Sequence, residues 1–318
     1  MDNILILGGS GFVGSVLCEE LVRRHGGGGL RITVPTRRRV NARHLQILPT
    51  IEVVQADVFD DGELARLVGG RDVVVNLVGI LHGTEADFQR VHVDLPRRIA
   101  RACANAEVAR LVHVGALGAA AGAPSRYLRS KAAGEGALRE AQPRATVIRP
   151  SVIFGAGDRF INLFADLQAI SPLMPLACAE ARFQPVWVDD VARAIVHGLD
   201  DPATAGQTFE CAGPRILTLA ELVSMAGRWS GHERRIVRLP ASIGMLQAWT
   251  LEWLPGAPLL SRDNLRSMQV PNIATGDLPG LAVLGITAAD IEAVMPTLLA
   301  RGGEMQRLNR WRAAVHLR

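Results

Sequence analysis

The chain contains a single tyrosine and a single lysine, and the two stand four positions apart, at Tyr127 and Lys131. The surrounding segment predicts a helix, and residues four apart share one helix face. An ammonium beside a phenol stabilises the phenolate, so it lowers a pKa that is otherwise about 10 and makes the hydroxyl a usable acid or base. We therefore predict Tyr127 as a catalytic proton donor or acceptor and Lys131 as its pKa modifier. A pair of side chains on a helix surface is the simpler alternative.

All but one of the 35 basic residues are arginine, so the lysine at position 131 stands out. Lysine is a compact charge with rotatable donors, which suits it to bonding sugar hydroxyls as well as to tuning a phenol. Lys131 is therefore also a predicted cofactor-binding residue, at the nicotinamide ribose.

Three glycines near the start of the chain, Gly8, Gly11 and Gly14, predict a turn that binds a pyrophosphate. They follow a short apolar run and open a segment with helical spacing, which is the strand–turn–helix context that such a turn requires. Glycine permits the tight turn, the close approach of a phosphate and the close packing of helix on strand. The amides of Phe12, Val13 and Gly14 are then expected to face the phosphates at the positive end of the helix. A purely structural turn is the alternative.

The end of the second predicted strand distinguishes NAD from NADP. A carboxylate there binds the ribose 2′-hydroxyl, but residues 34–39 contain none and end in three arginines. A guanidinium can bind a 2′-phosphate with two parallel hydrogen bonds, so we favour NADP(H) over NAD(H), with Arg37 as the first choice and Arg38 as the second. Asp57, after the third strand, is a candidate for the adenine amine. A solvated basic turn and an aspartate that caps a turn are the alternatives.

The spacing of apolar runs predicts the elements that position these residues. Residues 1–150 alternate strand and helix patterns, with six strands, so the fold class is α/β, with a doubly wound parallel sheet of the Rossmann type. Prolines and short strands, Thr208–Cys211 among them, cluster after Pro150. Residues 151–318 therefore predict a smaller, partly interleaved cap for substrate or partner, while a segment near 183–200 returns to the first domain.

These motifs together resemble the short-chain dehydrogenase/reductase superfamily, in its extended or atypical branch. The resemblance rests on the glycine turn, on the Tyr127/Lys131 pair, and on the segments 76–79, 149–150 and 185–192. The segments 125–135, 148–155 and 262–286 are similar to the nucleotide-binding accessory subunit of respiratory complex I and its bacterial relatives. The resemblance implies that Val78, Gly79 and Pro150 also contribute to cofactor binding.

One position departs from the superfamily. Its active members carry Ser or Thr at the end of the fifth strand, and Gly115 stands where that hydroxyl is expected. Losing a group that polarises the substrate carbonyl costs about 3 kcal/mol of transition-state stabilisation. Cofactor binding is thus better supported than turnover. Ser125 is expected to cap the helix of Tyr127, and His92, in place of a usual asparagine, is expected to be structural.

Other features weigh against other classes of protein. The four cysteines lie far apart and have no metal-ligand spacing, so we predict no metal site. The charge of +4 comes from scattered basic residues without interleaved aromatics, which argues against nucleic acid. His113 is expected to be a hydrogen-bonded core residue, and Asp189 and Asp190 are expected to be first-turn charges of a helix.

The sequence also bears on location. There is no basic leader or cleavage site, and the longest apolar run, residues 73–81, is too short to span a bilayer, so we expect a cytoplasmic protein. Leu246, Trp249, Trp253 and Leu254 form an apolar helix stripe. Core packing is the first interpretation of this stripe, and a partner or a peripheral contact at the inner membrane is the second.

Three functions remain open. The first is an NADP(H)-dependent oxidoreductase for a carbonyl or alcohol substrate, quinone-related or lipid-like because the cap is apolar. The second is a non-catalytic, cofactor-holding accessory or assembly factor of a respiratory (complex I-like) or quinone-related protein complex. The third is a sugar-nucleotide epimerase or dehydratase, for which Arg182 and Arg215 are the only evident groups for a diphosphate.

Overall fold

The computed structural model describes residues 2–25, 29–253, 256 and 258–300. Its strands, in chain order, are β1 (Asn3–Leu7), β2 (Arg31–Thr36), β3 (Ile51–Gln55), β4 (Val73–Asn76), β5 (Arg110–Val114), β6 (Thr146–Pro150), β7 (Ile153–Phe154), β8 (Leu173–Ala177), β9 (Arg182–Phe183), β10 (Val186–Trp187), β11 (Thr208–Cys211), β12 (Leu217–Thr218) and β13 (Arg235–Leu239). Its helices are α1 (Phe12–His25), α2 (Asp61–Val68), α3 (Glu85–Phe88), α4 (Leu95–Asn105), α5 (Arg126–Ala141), α6 (Ile161–Ile170), α7 (Val188–Asp200), α8 (Leu219–Ser230), α9 (Ala241–Leu251) and α10 (Arg262–Ser267).

Within the described ranges, seven strands form one parallel sheet in the spatial order β3-β2-β1-β4-β5-β6-β11. The chain reverses its direction of winding between β1 and β4. Ligands of such sheets bind outside the carboxyl ends of the strands at this switch point. The predicted α/β class and the doubly wound parallel sheet are confirmed.

The seventh strand corrects the sequence prediction. The sequence indicated six strands and assigned Thr208–Cys211 to the cap, but this segment pairs with β6, with Glu210 opposite Arg149. Phe209 and Cys211 are buried in the same core as β1. A run of four residues beside a proline-rich stretch carries too little periodicity to show which sheet it joins.

The segment from Glu85 to Asn105 is not one continuous helix but is divided into α3, a π-helical turn (Gln89–Asp94) and α4. Pro96 has no N–H to offer the carbonyl of His92, four residues earlier. The hydrogen bonds widen to i+5 spacing at this point, as from Leu95 N–H to Arg90 O. Between β2 and β3 the chain forms a 3₁₀ helix, Arg39–Ile47.

Helices cover both faces of the sheet. α1 packs against α7 on one face of the sheet. The apolar core of that face also includes Leu281, Leu284 and Ile286. α2 and α4 cover the other face, where Leu138 of α5 joins the same core. Apolar side chains of alternating strand positions thus fill two separate layers.

The cap has an apolar core of its own, which includes α6, α8 and β8. Residues 291–300 are helical and add Ile291, Met295 and Leu299 to it. The glycines at 26–28, Leu254 and residues 301–318 lie outside the described residues. No helix in the described ranges is long and apolar enough to cross a membrane.

Candidate functional site

The glycine turn lies at the carboxyl end of β1. Gly8 has a φ of +83°, and a Cβ there would lie 3.0 Å from the carbonyl carbon of Leu77, which follows β4. A Cβ at Gly14 would lie 2.5 Å from the carbonyl oxygen of Gly8. Position 8 needs glycine because its φ is positive, and position 14 needs glycine because α1 packs directly onto the turn.

The turn leaves backbone donors at the start of α1. Gly11 N–H donates to Gly8 O over 3.0 Å, and the first helical bond runs from Ser15 N–H to Gly11 O over 2.9 Å. The amides of Phe12 and Val13 precede that bond, so they belong to the helix end that anions favour. The structure therefore has the strand–turn–helix geometry that the glycine spacing predicted.

A pocket opens beside the turn, past the ends of β2 and β3. It has a volume of about 450 Å³ and is lined by Arg37, Gln55, Ala56, Asp57 and Glu63. The structure thus brings Arg37 and Asp57 into the lining of one pocket. Asp57 accepts from Phe59 N–H over 3.0 Å and donates its own N–H to the Glu63 carboxylate. Arg38 is exposed and is not part of this lining, so of the two predicted arginines Arg37 is the better placed.

The segment after β4 forms the opposite side of the crevice. Asn76 accepts from Val78 N–H over 3.1 Å and donates to His113 Nδ1 over 3.0 Å. This bond fixes Val78, and a Cβ at the next residue, Gly79, would lie 3.5 Å from Nε2 of His92. His113 is a buried, hydrogen-bonded core residue, as predicted, and burial lowers its pKa well below the usual value.

His92 joins this segment to α5. Its Nε2 accepts from Ile80 N–H over 3.1 Å, so its Nδ1 carries the proton and donates to Ser130 Oγ over 2.8 Å. Ser130 in turn donates to the carbonyl oxygen of Tyr127 over 2.8 Å. Burial, with a smaller effect from Lys131, lowers the pKa of His92 to about 3. The neutral imidazole is a structural link, as predicted.

Tyr127 lies in the first turn of α5. Its ring packs edge-on against Phe88 and His92, at centroid distances of 6.3 and 5.6 Å. Burial raises the pKa of Tyr127 to about 12. The expected lowering of this pKa by Lys131 is therefore wrong for the chain as it stands, because loss of solvent around the phenol dominates.

Lys131 is buried one turn later. Its Nζ donates to the carbonyl oxygen of Val114, at the end of β5, over 2.7 Å. Burial lowers its pKa to about 8, and the Glu135 carboxylate opposes that effect. Glu135 is itself buried and forms an ion pair with Arg149 of β6 at 2.6 Å.

The space beside Gly115 is occupied by this carboxylate. A Cβ at Gly115 would lie 2.2 Å from Oε1 of Glu135. The position that the superfamily gives to a hydroxyl is thus closed to any side chain unless Glu135 moves. Sequence reasoning found the missing hydroxyl but not the glutamate that fills its place.

The first turn of α5 is held by two side chains. Ser125 accepts from Leu128 N–H over 3.2 Å, which confirms the predicted cap. Asp263 of α10 accepts from the backbone N–H groups of Arg126 and Tyr127. Asp263 is 136 residues from Tyr127, so no spacing in the sequence could reveal this contact. The sequence singled out Asp263 only as part of the segment 262–286, by family resemblance.

The remaining predicted residues are also placed. Pro150 ends β6, where its carbonyl accepts from Leu117 N–H over 3.0 Å, at the carboxyl edge of the sheet. Asp189 and Asp190 lie in the first turn of α7, and Asp190 binds the Arg193 side chain and Ala289 N–H. In the described part of the chain, no three His, Cys, Asp or Glu side chains group in a way that could hold a metal ion.

Comparisons with known proteins agree with this geometry. Residues 4–212 match the NAD dependent epimerase/dehydratase family. The chain is 32% identical, over 96% of its length and 81% of the relative, to NADH dehydrogenase (ubiquinone) 1 alpha subcomplex subunit 9, mitochondrial, of Mus musculus. It is 33% identical, over 78% of its length and 76% of the relative, to a ceramide reductase of Caulobacter vibrioides.

Among solved structures, MoeE5 in complex with UDP-glucose and NAD has a similar fold, with a TM-score of 0.67. It is 19% identical and covers 94% of this chain and 99% of its own. The family match and the relatives confirm the resemblance that the motifs indicated. The chain belongs to the NAD dependent epimerase/dehydratase family, in the extended branch of the short-chain dehydrogenases, and is a relative of a mitochondrial NADH dehydrogenase subunit.

Proposed function

We propose that the crevice binds NADP(H), with the pyrophosphate on the glycine turn and the 2′-phosphate on Arg37. The observation that carries this proposal is the pocket shared by Arg37 and Asp57 past the ends of β2 and β3. Glu63 also lines that pocket, and its carboxylate is engaged by Asp57 N–H. No hydrogen bond or ion pair of the Arg37 side chain occurs in the described part of the chain, so its guanidinium is available to a phosphate dianion.

The chemistry at the other end of the crevice favours reduction. A bound nicotinamide supplies or accepts hydride. Because burial raises its pKa to about 12, Tyr127 keeps its proton near neutral pH and is suited to donate it to a carbonyl oxygen. Lys131, with a pKa of about 8, is mostly charged near neutral pH and available to the ribose hydroxyls. We therefore propose a carbonyl reductase with Tyr127 as the proton donor.

The substrate we favour is a lipid-like or quinone-related carbonyl. The similarity to a ceramide reductase supports a lipid-like one. A sugar nucleotide is less well supported, since Arg215 is already paired with Asp290 and Glu292 and Arg182 has no second cation beside it in the described contacts.

The test of the cofactor proposal is calorimetric titration with NADPH and NADH, on the wild type and on Arg37→Gln. We expect the wild type to prefer NADPH and the variant to lose about tenfold or more of that affinity while its affinity for NADH stays within about twofold. Arg38→Gln is the matched control and should behave as the wild type. Equal affinities of the wild type for both dinucleotides would remove the NADP preference, and no uptake of either would remove the proposal.

A second candidate function is that of an accessory subunit that holds its cofactor within a respiratory or quinone-related complex. The observation that favours it is the apolar stripe on α9, which is exposed, so the first interpretation of core packing is wrong. Leu246 is 59% exposed and Trp253, just past the helix, is 76% exposed, while Trp249 packs edge-on against Trp253 at 5.9 Å. The buried face of α9 instead carries small residues, Gly244 and Ala248.

An exposed stripe with two tryptophans suits a contact with a partner protein or with a membrane surface. The cytoplasmic location, peripheral at the inner membrane, belongs to this proposal. We expect Trp249→Gln with Trp253→Gln to abolish copurification with a membrane complex, whereas Val283→Gln, at an exposed apolar residue elsewhere, should not. Retention of the double variant in the complex would exclude the stripe as the contact.

A further inference from the structure

We propose that Asp263 of the cap is a positioning residue for Tyr127, because its carboxylate holds the first turn of α5 in place. The inference rests on the proposed role of Tyr127 as proton donor and adds the group that fixes its backbone. It also assigns a role to α10, a helix of the cap that contains neither the glycine turn nor the Tyr127/Lys131 pair.

The contact uses both oxygens of the carboxylate. Oδ1 accepts from Arg126 N–H over 2.8 Å, and Oδ2 accepts from Tyr127 N–H over 3.0 Å. The third amide of the helix, Leu128 N–H, is taken by Ser125 Oγ. The first three amides of α5, which lack partners within a helix, are thus all satisfied, and two of them depend on the cap.

The electrostatics of the contact are favourable. A negative charge at a helix N-terminus is stabilised by the helix dipole, and the effect is larger where water is excluded. Asp263 is only 4% exposed. The Arg126 guanidinium adds a positive charge, with Nε at 3.7 Å from Oδ1. A buried carboxylate with these partners has little freedom to move.

The support of Asp263 is also fixed. α10 begins with a reciprocal cap in which Ser261 and Asn264 bond each other's backbone N–H. Leu265 packs in a small apolar core with Ala177 and Ala248. The carboxylate therefore links the backbone of Tyr127 to α10, which is itself packed against β8 and α9.

This arrangement predicts a division of roles across the crevice. Loss of the carboxylate should free the first turn of α5 and with it the phenol, because two partly buried amides lose their acceptor. The glycine turn lies on the other side of the crevice, and no hydrogen bond joins it to Asp263 in the described structure. Dinucleotide affinity should thus change less than about twofold, while turnover of a carbonyl substrate falls about tenfold or more through kcat.

The experiment compares the wild type with Asp263→Asn and Asp263→Ala. Because Tyr127 is the only tyrosine, ¹³Cζ-tyrosine labelling gives one resonance, which reports this phenol alone. In Asp263→Ala we expect the amides of Arg126 and Tyr127 to exchange with deuterium about tenfold faster or more. The tyrosine resonance should shift, and the phenol should titrate at a lower pH than in the wild type. Asp60→Ala, which removes the cap of α2 but not that of α5, should leave both measurements unchanged.

Asp263→Asn keeps one acceptor oxygen, so we expect one of the two amides to exchange faster and the other to stay protected. This variant decides the matter if Asp263→Ala does not fold. Unchanged exchange of both amides in Asp263→Asn, or an unchanged tyrosine resonance in Asp263→Ala, would overturn the proposal. These readouts need no dinucleotide, so a failure to bind NADPH would remove the proposed function alone.

Discussion

The glycine turn and the Tyr127 side of the crevice both lie at the carboxyl end of one sheet, but they are built in different ways. The turn consists of seven consecutive residues, Gly8 to Gly14, and acts through backbone amides and close packing. The crevice joins side chains from distant parts of the chain, among them His92, Glu135 and Asp263. A site made of adjacent backbone groups depends on local conformation, whereas a site made of distant side chains depends on tertiary packing.

The dependence of the Tyr127 side on tertiary packing is tested first at Gly134, where α5 packs most tightly on its neighbour. A Cβ at Gly134 of α5 would lie 1.7 Å from the carbonyl oxygen of His92, whereas one at Gly136 would meet nothing within 4 Å. We expect Gly134→Ala to lower the free energy of unfolding by about 3 kcal/mol or more, since backbone must move. Gly136→Ala should raise it by up to about 1 kcal/mol, through helix propensity. Urea denaturation followed by circular dichroism measures both.

Equal effects of the two alanines on stability would show that α5 does not pack on the π turn as described. Gly134→Ala and Gly136→Ala make the same chemical change in one helix, so the difference between them reports the contact between Gly134 and His92 O.

The turn is tested by function rather than by stability. A Cβ at Gly14 would lie 2.5 Å from both Gly8 O and the Cα of Gly9, so an alanine there must displace the start of α1 from the phosphate cradle. We expect Gly14→Ala to weaken dinucleotide binding about a hundredfold, which is near 2.7 kcal/mol. Gly122→Ala, at a site open to solvent, is the control. Calorimetry gives the affinities, and wild-type affinity in Gly14→Ala would show that the turn does not bind the cofactor.

The same contrast explains how much the sequence could predict. The glycine turn, the first six strands of the doubly wound sheet and the Ser125 cap each follow from residues close in sequence, and the structure has them as predicted. Asp263 acts on a helix 136 residues away, so no local pattern could place it.

The chemistry of the crevice was predicted less well for the same reason. Residue spacing showed that Tyr127 and Lys131 share a helix face, but it could not show that Lys131 donates to Val114 O and that burial raises the Tyr127 pKa. Nor could it show that Glu135 occupies the space beside Gly115. Desolvation depends on every neighbouring chain segment, and it decided the direction of these shifts.

The smallest effect we expect is a pH dependence that belongs to the crevice alone, since the turn holds no titratable side chain. Burial lowers the pKa of Lys131 from 10.5 to about 8. Between these values the unfolded chain binds a proton that the folded chain does not, so the free energy of unfolding should rise with pH across this window. The slope due to Lys131 should be at most about 1.4 kcal/mol per pH unit, the value for one proton that only the unfolded chain binds.

Lys131→Met removes this contribution, so the difference in stability between wild type and variant should change as pH rises from about 8 and level off near 10.5. Tyr127 acts in the opposite sense, because a pKa raised from 10.0 to about 12 makes the folded chain lose stability across that higher window in both proteins. Gly14→Ala should keep the wild-type dependence. If Lys131→Met also kept it, the rise in stability between about pH 8 and 10.5 would not come from Lys131.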